Sequence, residues 1–375
     1  MSTESLPPPL WVNTGPFLAR MIADLSSQPR LAVDTESNSL HAYRERVCLI
    51  QFSTPQTDYI LDPLEFADLS SLAPIFQDPA IEKIFHAVEY DLICLRRDYG
   101  FGLANLFDTM QAARILGYPA VGLDRLLNDK FGILVDKRYQ KADWAARPLT
   151  AEQIHYARLD THHLFQLRDV FEAELREKGR WLLAQEDFRR SCDPEQPKTR
   201  AAGEVRERFS GRRDLSPREL TVVNELVLFR ELIAEQMDRP PFKVMDDETL
   251  IAVARAAPQT QADLAAAGVS GKQIRLWGQA ILAAVQRGAE APLAKRKQVS
   301  RPTDATLARA EKLKDWRKKV AKEMGVESDI VLPKPYIQLL AENSPRTQRD
   351  LENLMVQSPW RFEAFGAQIL ELLGG

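Results

Sequence analysis

The sequence predicts an α/β protein, in which a mixed sheet with helices on its faces is followed by two small all-helical domains. Strand and helix patterns alternate over residues 1–190, strand and aromatic patterns fade after that point, and the remainder contains an internal repeat. The length of 375 residues favours two or three domains over a single core.

The predicted strands are short segments rich in Val, Ile, Phe and Tyr, and they lie at residues 30–36, 47–53, 57–61 and 83–85. The first three follow one another closely, as in a meander. Helical patterns lie near residues 64–77, 89–99, 108–117, 122–131 and 150–178. Thr150 and Gln153 form an N-capping box at the start of the last helix. Helices that interleave with the later strands predict a mixed sheet.

The C-terminal half contains two copies of one helical pattern. Phe229-Arg230 matches Trp316-Arg317, and the spacing Pro-x-Thr-x-x-x-Leu begins at both Pro258 and Pro345. These anchors are offset by 87 residues, and a later pair, Trp277-Gly278 and Phe365-Gly366, by 88. Two copies of one small helical domain are therefore predicted. The expected organisation is a first domain at 1–195, a linker at 196–212, a helical domain at 213–290, a linker at 291–304 and a second helical domain at 305–375.

Composition is that of an ordinary globular protein, with 45% hydrophobic and 27% charged residues. No apolar run approaches the roughly 18 residues that span a bilayer, and the first 15 residues have no secretory signal pattern. The lack of such a run predicts no membrane partner, and Cys48, Cys94 and Cys192, which show no metal or redox spacing, favour a cytoplasmic location.

Charge is distributed unevenly. Residues 1–190 contain 21 basic and 27 acidic side chains, whereas residues 294–324 contain 11 basic and 4 acidic ones. An acidic half followed by a basic stripe suggests a catalytic body with an anion-binding appendage. The alternative is a solvated helix face.

The strand at 30–36 ends in Asp34-Thr35-Glu36. Because side chains alternate across a strand, Asp34 and Glu36 share one face, where they can grip one divalent cation. Asp91 opens a helix after the strand at 83–85, and Tyr156 and Asp160 lie four residues apart on one face of the helix at 150–178. Taken alone, each pattern has a structural alternative: a chance pair of acids, a helix N-terminal acid or an ordinary amphipathic helix.

Four carboxylates that converge without a cation would repel one another and lose solvation. Two divalent ions, Mg²⁺ or Mn²⁺, would offset that charge, because hard cations prefer carboxylate, water and phosphate oxygens. Ions about 4 Å apart can activate a water and stabilise the leaving oxygen at phosphorus.

The three segments resemble the exonuclease motifs of the DEDD superfamily, and the whole chain resembles the ribonuclease D family. The resemblance rests on VDTES (33–37), FHAVEYDL (85–92), FDTMQAARILG (107–117), KADWAARPLT (141–150) and HYARLDTHHL (155–164). The two repeats resemble the helicase-and-RNase-D C-terminal (HRDC) domain. This resemblance implies a ribonuclease H-like exonuclease domain followed by two HRDC domains.

The resemblance implies that Asp34, Glu36, Asp91 and Asp160 bind the metals and that Tyr156 holds the attacking water, as in the DEDDy branch. His155 stands five residues before Asp160, which is the spacing of the DEDDh branch. Five residues of helix turn about 500°, which puts His155 off the Asp160 stripe. Tyr156 is therefore favoured.

Five further residues are predicted substrate contacts: Thr35, Leu40, His86, Lys141 and Arg147. Similar enzymes place an apolar side chain such as Leu40 against the terminal base, and Lys141 and Arg147 can neutralise phosphates. Packing or a solvated loop is the alternative for these positions. In the repeats, a stripe of Lys312, Lys314, Arg317, Lys318, Lys319 and Lys322 suits an RNA backbone, and Trp316 fits a core position.

The predicted activity is 3′-5′ exonucleolytic hydrolysis of RNA to nucleoside 5′-monophosphates. The resemblance implies tRNA precursors or other structured RNAs as substrates. Two alternatives stay open: a DNA 3′-5′ exonuclease, and a non-catalytic nucleic-acid-binding protein on a nuclease fold. The chain has no G-x-x-x-x-G-K-[ST] phosphate loop, which argues against an ATP-driven helicase.

Overall fold

The computed structural model describes residues 7–193, 209–294 and 301–374. Of the predicted linkers at 196–212 and 291–304, residues 196–208 and 295–300 lie outside this range. Among the described residues the chain forms two compact units: residues 7–37, 47–193 and 301–374 make up one, and residues 38–46 and 209–294 the other. The second helical repeat therefore belongs to the same unit as the sheet. The domain boundaries themselves stay a prediction.

The first unit is built on a six-stranded sheet. Its strands are β1 (Leu10–Val12), β2 (Arg30–Ser37), β3 (Val47–Ser53), β4 (Asp58–Leu61), β5 (Glu82–Phe85) and β6 (Leu106–Asp108), in the order β1-β4-β3-β2-β5-β6. Strands β2, β3 and β4 form the predicted antiparallel meander, while β1-β4, β2-β5 and β5-β6 pair in parallel. The predicted mixed sheet is thus confirmed.

Eight helices accompany this sheet within residues 7–193. They are α1 (Gly15–Ser27), α2 (Ala73–Gln77), α3 (Glu89–Tyr99), α4 (Thr109–Leu116), α5 (Leu123–Phe131), α6 (Ala151–His162), α7 (Leu164–Glu177) and α8 (Trp181–Ser191). Helix α6 packs across β2, β3 and β4. It begins at the predicted capping box, in which the Thr150 hydroxyl accepts from the Gln153 N–H and the Gln153 side chain accepts from the Thr150 N–H.

Several predicted elements differ from the structure. The single helix expected at 150–178 is two helices with His163 between them, and the helix expected at 64–77 shrinks to α2 behind two 3₁₀ turns. Strands β1 and β6 and helices α1 and α8 were not predicted. Both strands have only three residues, which is too short for an alternating pattern to be read.

The helical repeats have matching architectures. The first contains α9 (Pro217–Gln236), α10 (Pro241–Val244), α11 (Asp247–Ala256), α12 (Gln261–Ala266) and α13 (Gly271–Glu290); the second contains α14 (Asp304–Met324), α15 (Ser328–Val331), α16 (Lys334–Asn343), α17 (Gln348–Leu354) and α18 (Pro359–Leu373). Thr260 caps α12 and Thr347 caps α17, each accepting a backbone N–H bond from an aspartate three residues later. Ala257 and Ser344, also 87 positions apart, share a left-handed backbone.

The second repeat is fixed to the sheet domain by a buried ion cluster. The Arg361 side chain is fully buried, and its Nη1 lies 2.5 Å from Glu186 Oε1 and 2.8 Å from Asp187 Oδ1. The same guanidinium donates to the carbonyls of Ile330 and Val331. Since both acids belong to α8, the cluster joins α18 to the helix that closes the sheet domain.

Candidate active site

Three carboxylates meet where α6 crosses the end of β2. Asp34 and Glu36 lie on β2, Asp160 lies on α6, and each offers an oxygen within 4.8 Å of the others. The alternation of β2 puts the two strand acids on one face, and the packing of α6 on that face brings in the third. These three residues are called the acid cluster below.

Asp91 flanks the acid cluster at the start of α3. Its side chain is buried, and its Oδ1 accepts from the Thr35 N–H at 3.2 Å and the Thr35 hydroxyl at 2.5 Å. Thr35, predicted as a substrate contact, therefore ties α3 to β2 between Asp34 and Glu36. Asp91 itself falls outside the group whose oxygens lie within 4.8 Å.

Asp108 positions the turn that leads into α3. Its carboxylate accepts from the N–H groups of Ala87 and Val88 and also from those of Met110 and Gln111 at the start of α4. Ala87 has a left-handed backbone, with φ of 65°. Asp108 thus holds this turn by two bonds and the start of α4 by two more, which fixes the position at which α3 and Asp91 begin.

Burial raises the pKa of all four acids, Asp34, Glu36, Asp91 and Asp160, and like charge adds to the effect. Burial raises the pKa of Asp34 well above its usual value, and the charges of Asp91, Asp160 and Glu36 raise it further. The pKa of Glu36 rises for the same reasons. Burial is the main cause that brings the pKa of both Asp91 and Asp160 to about 7, and the charge of Asp91 adds to it at Asp160.

This donor set fits a hard divalent cation. It consists of carboxylate oxygens, it is partly buried, and the like charges of neighbouring acids raise the pKa of each of its members. A divalent cation bound there would remove the repulsion and hold the carboxylates ionised. The residues are therefore able to bind a metal.

Tyr156 adjoins the acid cluster from α6. Its ring stacks on Trp144 at 6.0 Å between centroids and lies 6.2 Å from Tyr139, so two aromatic side chains fix it. Burial raises the pKa of Tyr156, and the charges of Asp160, Glu36 and Asp34 add to that effect. The phenol consequently keeps its proton at neutral pH. Trp144 lies in the KADWAARPLT stretch, but no local sequence pattern indicates that its ring packs on Tyr156.

His155 occupies a different surface. Its ring is exposed, and its Nδ1 lies 3.4 Å from Arg158 Nη2. Burial lowers the pKa of His155, and the Arg158 charge lowers it further. The charges of Asp34, Glu36 and Asp160 thus act on Tyr156, whereas the neighbouring charge that acts on His155 is that of Arg158. The geometry therefore favours Tyr156 as the partner of the acid cluster.

Comparisons with known proteins identify the families to which the domains of this chain are similar. The 3′-5′ exonuclease family matches residues 9–176, and the HRDC domain family matches residues 219–285 and 306–373. Ribonuclease D of Nitrobacter hamburgensis is 29% identical over 380 residues, which cover 97% of this chain and 95% of that protein. The solved structure of RNase D from Escherichia coli, an exoribonuclease involved in structured RNA processing, superposes with a TM-score of 0.72 at 26% identity, covering 98% of this chain and 99% of that one.

The chain belongs to the ribonuclease D family. It is also 32% identical over 265 residues to the exosome complex exonuclease RRP6 of Saccharomyces cerevisiae, which covers 67% of this chain. The chain spans 36% of the length of that yeast protein and between 17% and 50% of the other exosome and RRP6-like relatives it matches. The predicted ribonuclease H-like exonuclease fold followed by HRDC helical domains is confirmed for this family member.

Arg147, predicted as a phosphate contact, makes a set of internal hydrogen bonds. Its Nε and Nη2 donate to the two Asp62 oxygens at 2.6 and 2.7 Å, and the remaining donors reach the carbonyls of Trp144, Ala146 and Cys48. An arginine has five N–H donors, and all five are used. Arg147 therefore anchors the loop that carries Trp144, and a phosphate contact by this residue stays a prediction.

The other predicted contacts are placed as follows. His86 lies half-buried, with Nδ1 2.9 Å from the Thr109 hydroxyl, and burial lowers its pKa. Lys141 is exposed on the loop before α6. Leu40 is 39% exposed and lies on segment 38–46, which belongs to the second compact unit. Substrate contact at these three residues stays a prediction.

One residue of the predicted basic stripe, Arg317, does not lie on the surface. Arg317 is buried and donates to the Leu332 carbonyl at 2.9 Å, just as Arg230 in the first repeat donates to the Met245 carbonyl. This arginine is thus a structural feature of the repeat, and it is not available to RNA. Trp316 packs edge-on against Phe365, as expected of a core position.

Among the described residues, no helix is both long and apolar enough to cross a lipid bilayer.

Proposed function

We propose that this protein is a metal-dependent 3′-5′ exoribonuclease that releases nucleoside 5′-monophosphates. The observation that carries the proposal is the acid cluster, whose three carboxylates lie within 4.8 Å of one another beside Tyr156. Membership of the ribonuclease D family supports the reaction type, and the RNA-processing names of the relatives favour RNA over DNA.

Asp34, Glu36, Asp91 and Asp160 would hold two divalent ions, Mg²⁺ or Mn²⁺. Bound ions of this kind lower the pKa of an attacking water and neutralise charge on the phosphate. The two hydrogen bonds from Thr35 would keep the Asp91 carboxylate next to β2, the strand that carries Asp34 and Glu36.

Tyr156 would orient the attacking water. Its raised pKa keeps the hydroxyl protonated, so it serves as a hydrogen-bonding guide and not as the base. The stacking on Trp144, whose loop is anchored by Arg147 and Asp62, would hold that hydroxyl in place.

The proposed substrates are structured RNAs with short 3′ extensions, such as tRNA precursors. The support is the E. coli relative, an exoribonuclease of structured RNA processing. The exposed lysines Lys312, Lys318, Lys319 and Lys322 on α14 would add sequence-independent contacts to the RNA backbone. The domain boundaries and the cytoplasmic location predicted from sequence are part of the same proposal.

The test is digestion of a 3′-extended tRNA beside matched RNA and DNA oligonucleotides in Mn²⁺ or Mg²⁺. The expected result is stepwise loss of 3′ nucleotides from RNA as 5′-monophosphates. Asp34→Asn should lower the rate more than about 100-fold, because even the partners of metal ligands are worth about 10- to 100-fold. Asp129→Asn, a surface acid paired with Arg125, is the control and should keep full activity.

Two results would contradict the proposal. Equal or faster digestion of DNA would instead identify a DNA exonuclease. Absence of any metal-dependent cleavage, with RNA binding retained, would identify a non-catalytic binding protein.

A further inference from the structure

Among the residues that the structure describes, Gln51 is a buried amide without a protein partner. Its side chain is fully buried on β3, and within the described residues neither its Oε1 nor its Nε2 has a hydrogen-bond partner. Burial of an amide without partners costs free energy, because the bonds it made to water are lost. A packing role alone would be served better by an apolar side chain of the same size.

The sheet register places this amide beside the acid cluster. Gln51 pairs with Asp34 across the β2-β3 ladder and with Ile60 across the β3-β4 ladder. Residues directly opposite in antiparallel strands project to the same face, with Cβ atoms about 4.5–5.5 Å apart. The Gln51 side chain therefore lies on the face that carries Asp34 and is covered by α6.

Three other side chains near Gln51 on this face, those of Leu49, Ile60 and Ser53, are either apolar or already hydrogen-bonded to other residues. Leu49 and Ile60 belong to an apolar cluster with Ala157 of α6. Ser53, two residues along β3, is bonded to Asp58 at 2.6 Å and to the Thr161 hydroxyl at 2.8 Å. Asp34, directly opposite Gln51, carries carboxylate oxygens and is a member of the acid cluster.

We propose that Gln51 is a positioning residue for the metal site, which orients the Asp34 carboxylate through its Nε2 donor, directly or through one water. The proposal rests on the proposed function, since it assigns Asp34 to a divalent cation. When one Asp34 oxygen faces a cation, the other is free to accept from Gln51, and this bond would fix the carboxylate plane. Hydrogen-bonded partners of metal ligands typically contribute about 10- to 100-fold to metal affinity.

The test compares Gln51→Met with the wild-type full chain. Methionine keeps the length and volume of glutamine and removes both amide atoms. Mn²⁺ affinity is measured by isothermal titration calorimetry, and the thermal midpoint is measured in EDTA. We expect the Mn²⁺ affinity to fall about 10- to 100-fold, while the metal-free midpoint stays equal or rises because an unpaired buried amide is removed.

Ser53→Ala is the matched control on the same face of β3. It removes satisfied hydrogen bonds, so it should lower the thermal midpoint and leave Mn²⁺ affinity unchanged. A purely structural role for Gln51 would make Gln51→Met behave like this control.

The variant Asp34→Asn distinguishes a failure of the role proposed for Gln51 from a failure of the proposed function. Wild-type binding of Mn²⁺ that depends on Asp34 but is the same in Gln51→Met would overturn the role of Gln51 alone. Absence of Asp34-dependent Mn²⁺ binding in the wild type would overturn the proposed function and this inference together.

Discussion

Replacing Asp160 with asparagine should stabilise the metal-free protein while it removes the activity. Burial raises the pKa of Asp160 from 3.8 to about 7, and the charge of Asp91 contributes to this shift. A group whose pKa is raised on folding destabilises the folded state once it is ionised. Asparagine has nearly the same shape and carries no charge, so the variant avoids this penalty.

The magnitude follows from the shift. One pKa unit corresponds to about 1.4 kcal/mol, so the shift gives an upper limit of about 4 kcal/mol. The penalty starts as the pH rises through the unfolded value of 3.8, and it is complete above pH about 7. The gain in the free energy of unfolding from Asp160→Asn should therefore be at most about 2 kcal/mol at pH 5 and at most about 4 kcal/mol at pH 8.

The assay is denaturation by urea in EDTA at both pH values, followed by the same titration with Mn²⁺. Wild type should gain more stability from Mn²⁺ at pH 8 than at pH 5, because protons compete with the cation for the carboxylates. The variant should lose most of this response. The control is Glu152→Gln, an exposed acid in the first turn of the same helix, which should show no gain. A midpoint for Asp160→Asn at pH 8 that equals or falls below the wild-type value would refute the reasoning.

Two further predictions concern the tyrosine and the ion cluster. Tyr156→Phe should lower kcat about 100-fold with Mn²⁺ affinity unchanged, while the exposed His155→Ala keeps full activity in the same digestion assay; the opposite pattern would assign the role to His155. Arg361→Met should cost about 3–5 kcal/mol in urea denaturation, because it leaves Glu186 and Asp187 buried and unpaired. The exposed Arg346→Met should stay within about 0.5 kcal/mol of wild type, and an equally small effect at Arg361 would contradict the structural argument.

Patterns over short stretches of chain were sufficient for much of the fold. The alternation of β2 predicted that Asp34 and Glu36 share a face, and the helical spacing of Tyr156 and Asp160 predicted a second group on α6. The capping box at Thr150 and the 87-residue repeat are equally local signals, and the structure bears them out in the caps of α6, α12 and α17. The identity of Asp91 as a site residue came from the family resemblance.

Long-range pairing decided the features that the sequence did not predict. β1 and β6 have three residues each and acquire their identity by pairing with β4 and β5. The task of Arg147 depends on Asp62, which lies 85 positions earlier, so a basic residue in a polar loop gave no sign of it.

The sequence by itself determined which side chains share one face of a strand or helix, because the periods of strands and helices arise from the geometry of the chain over a few residues. Only the tertiary structure decided which polar groups find partners. It ties Asp91 to Thr35, uses every donor of Arg147 and buries Arg361 between two acids. Within the described part of the chain, it also leaves the Gln51 amide unpaired opposite Asp34. Such pairings depend on contacts between distant segments, and the energy of each is set by burial that no local pattern specifies.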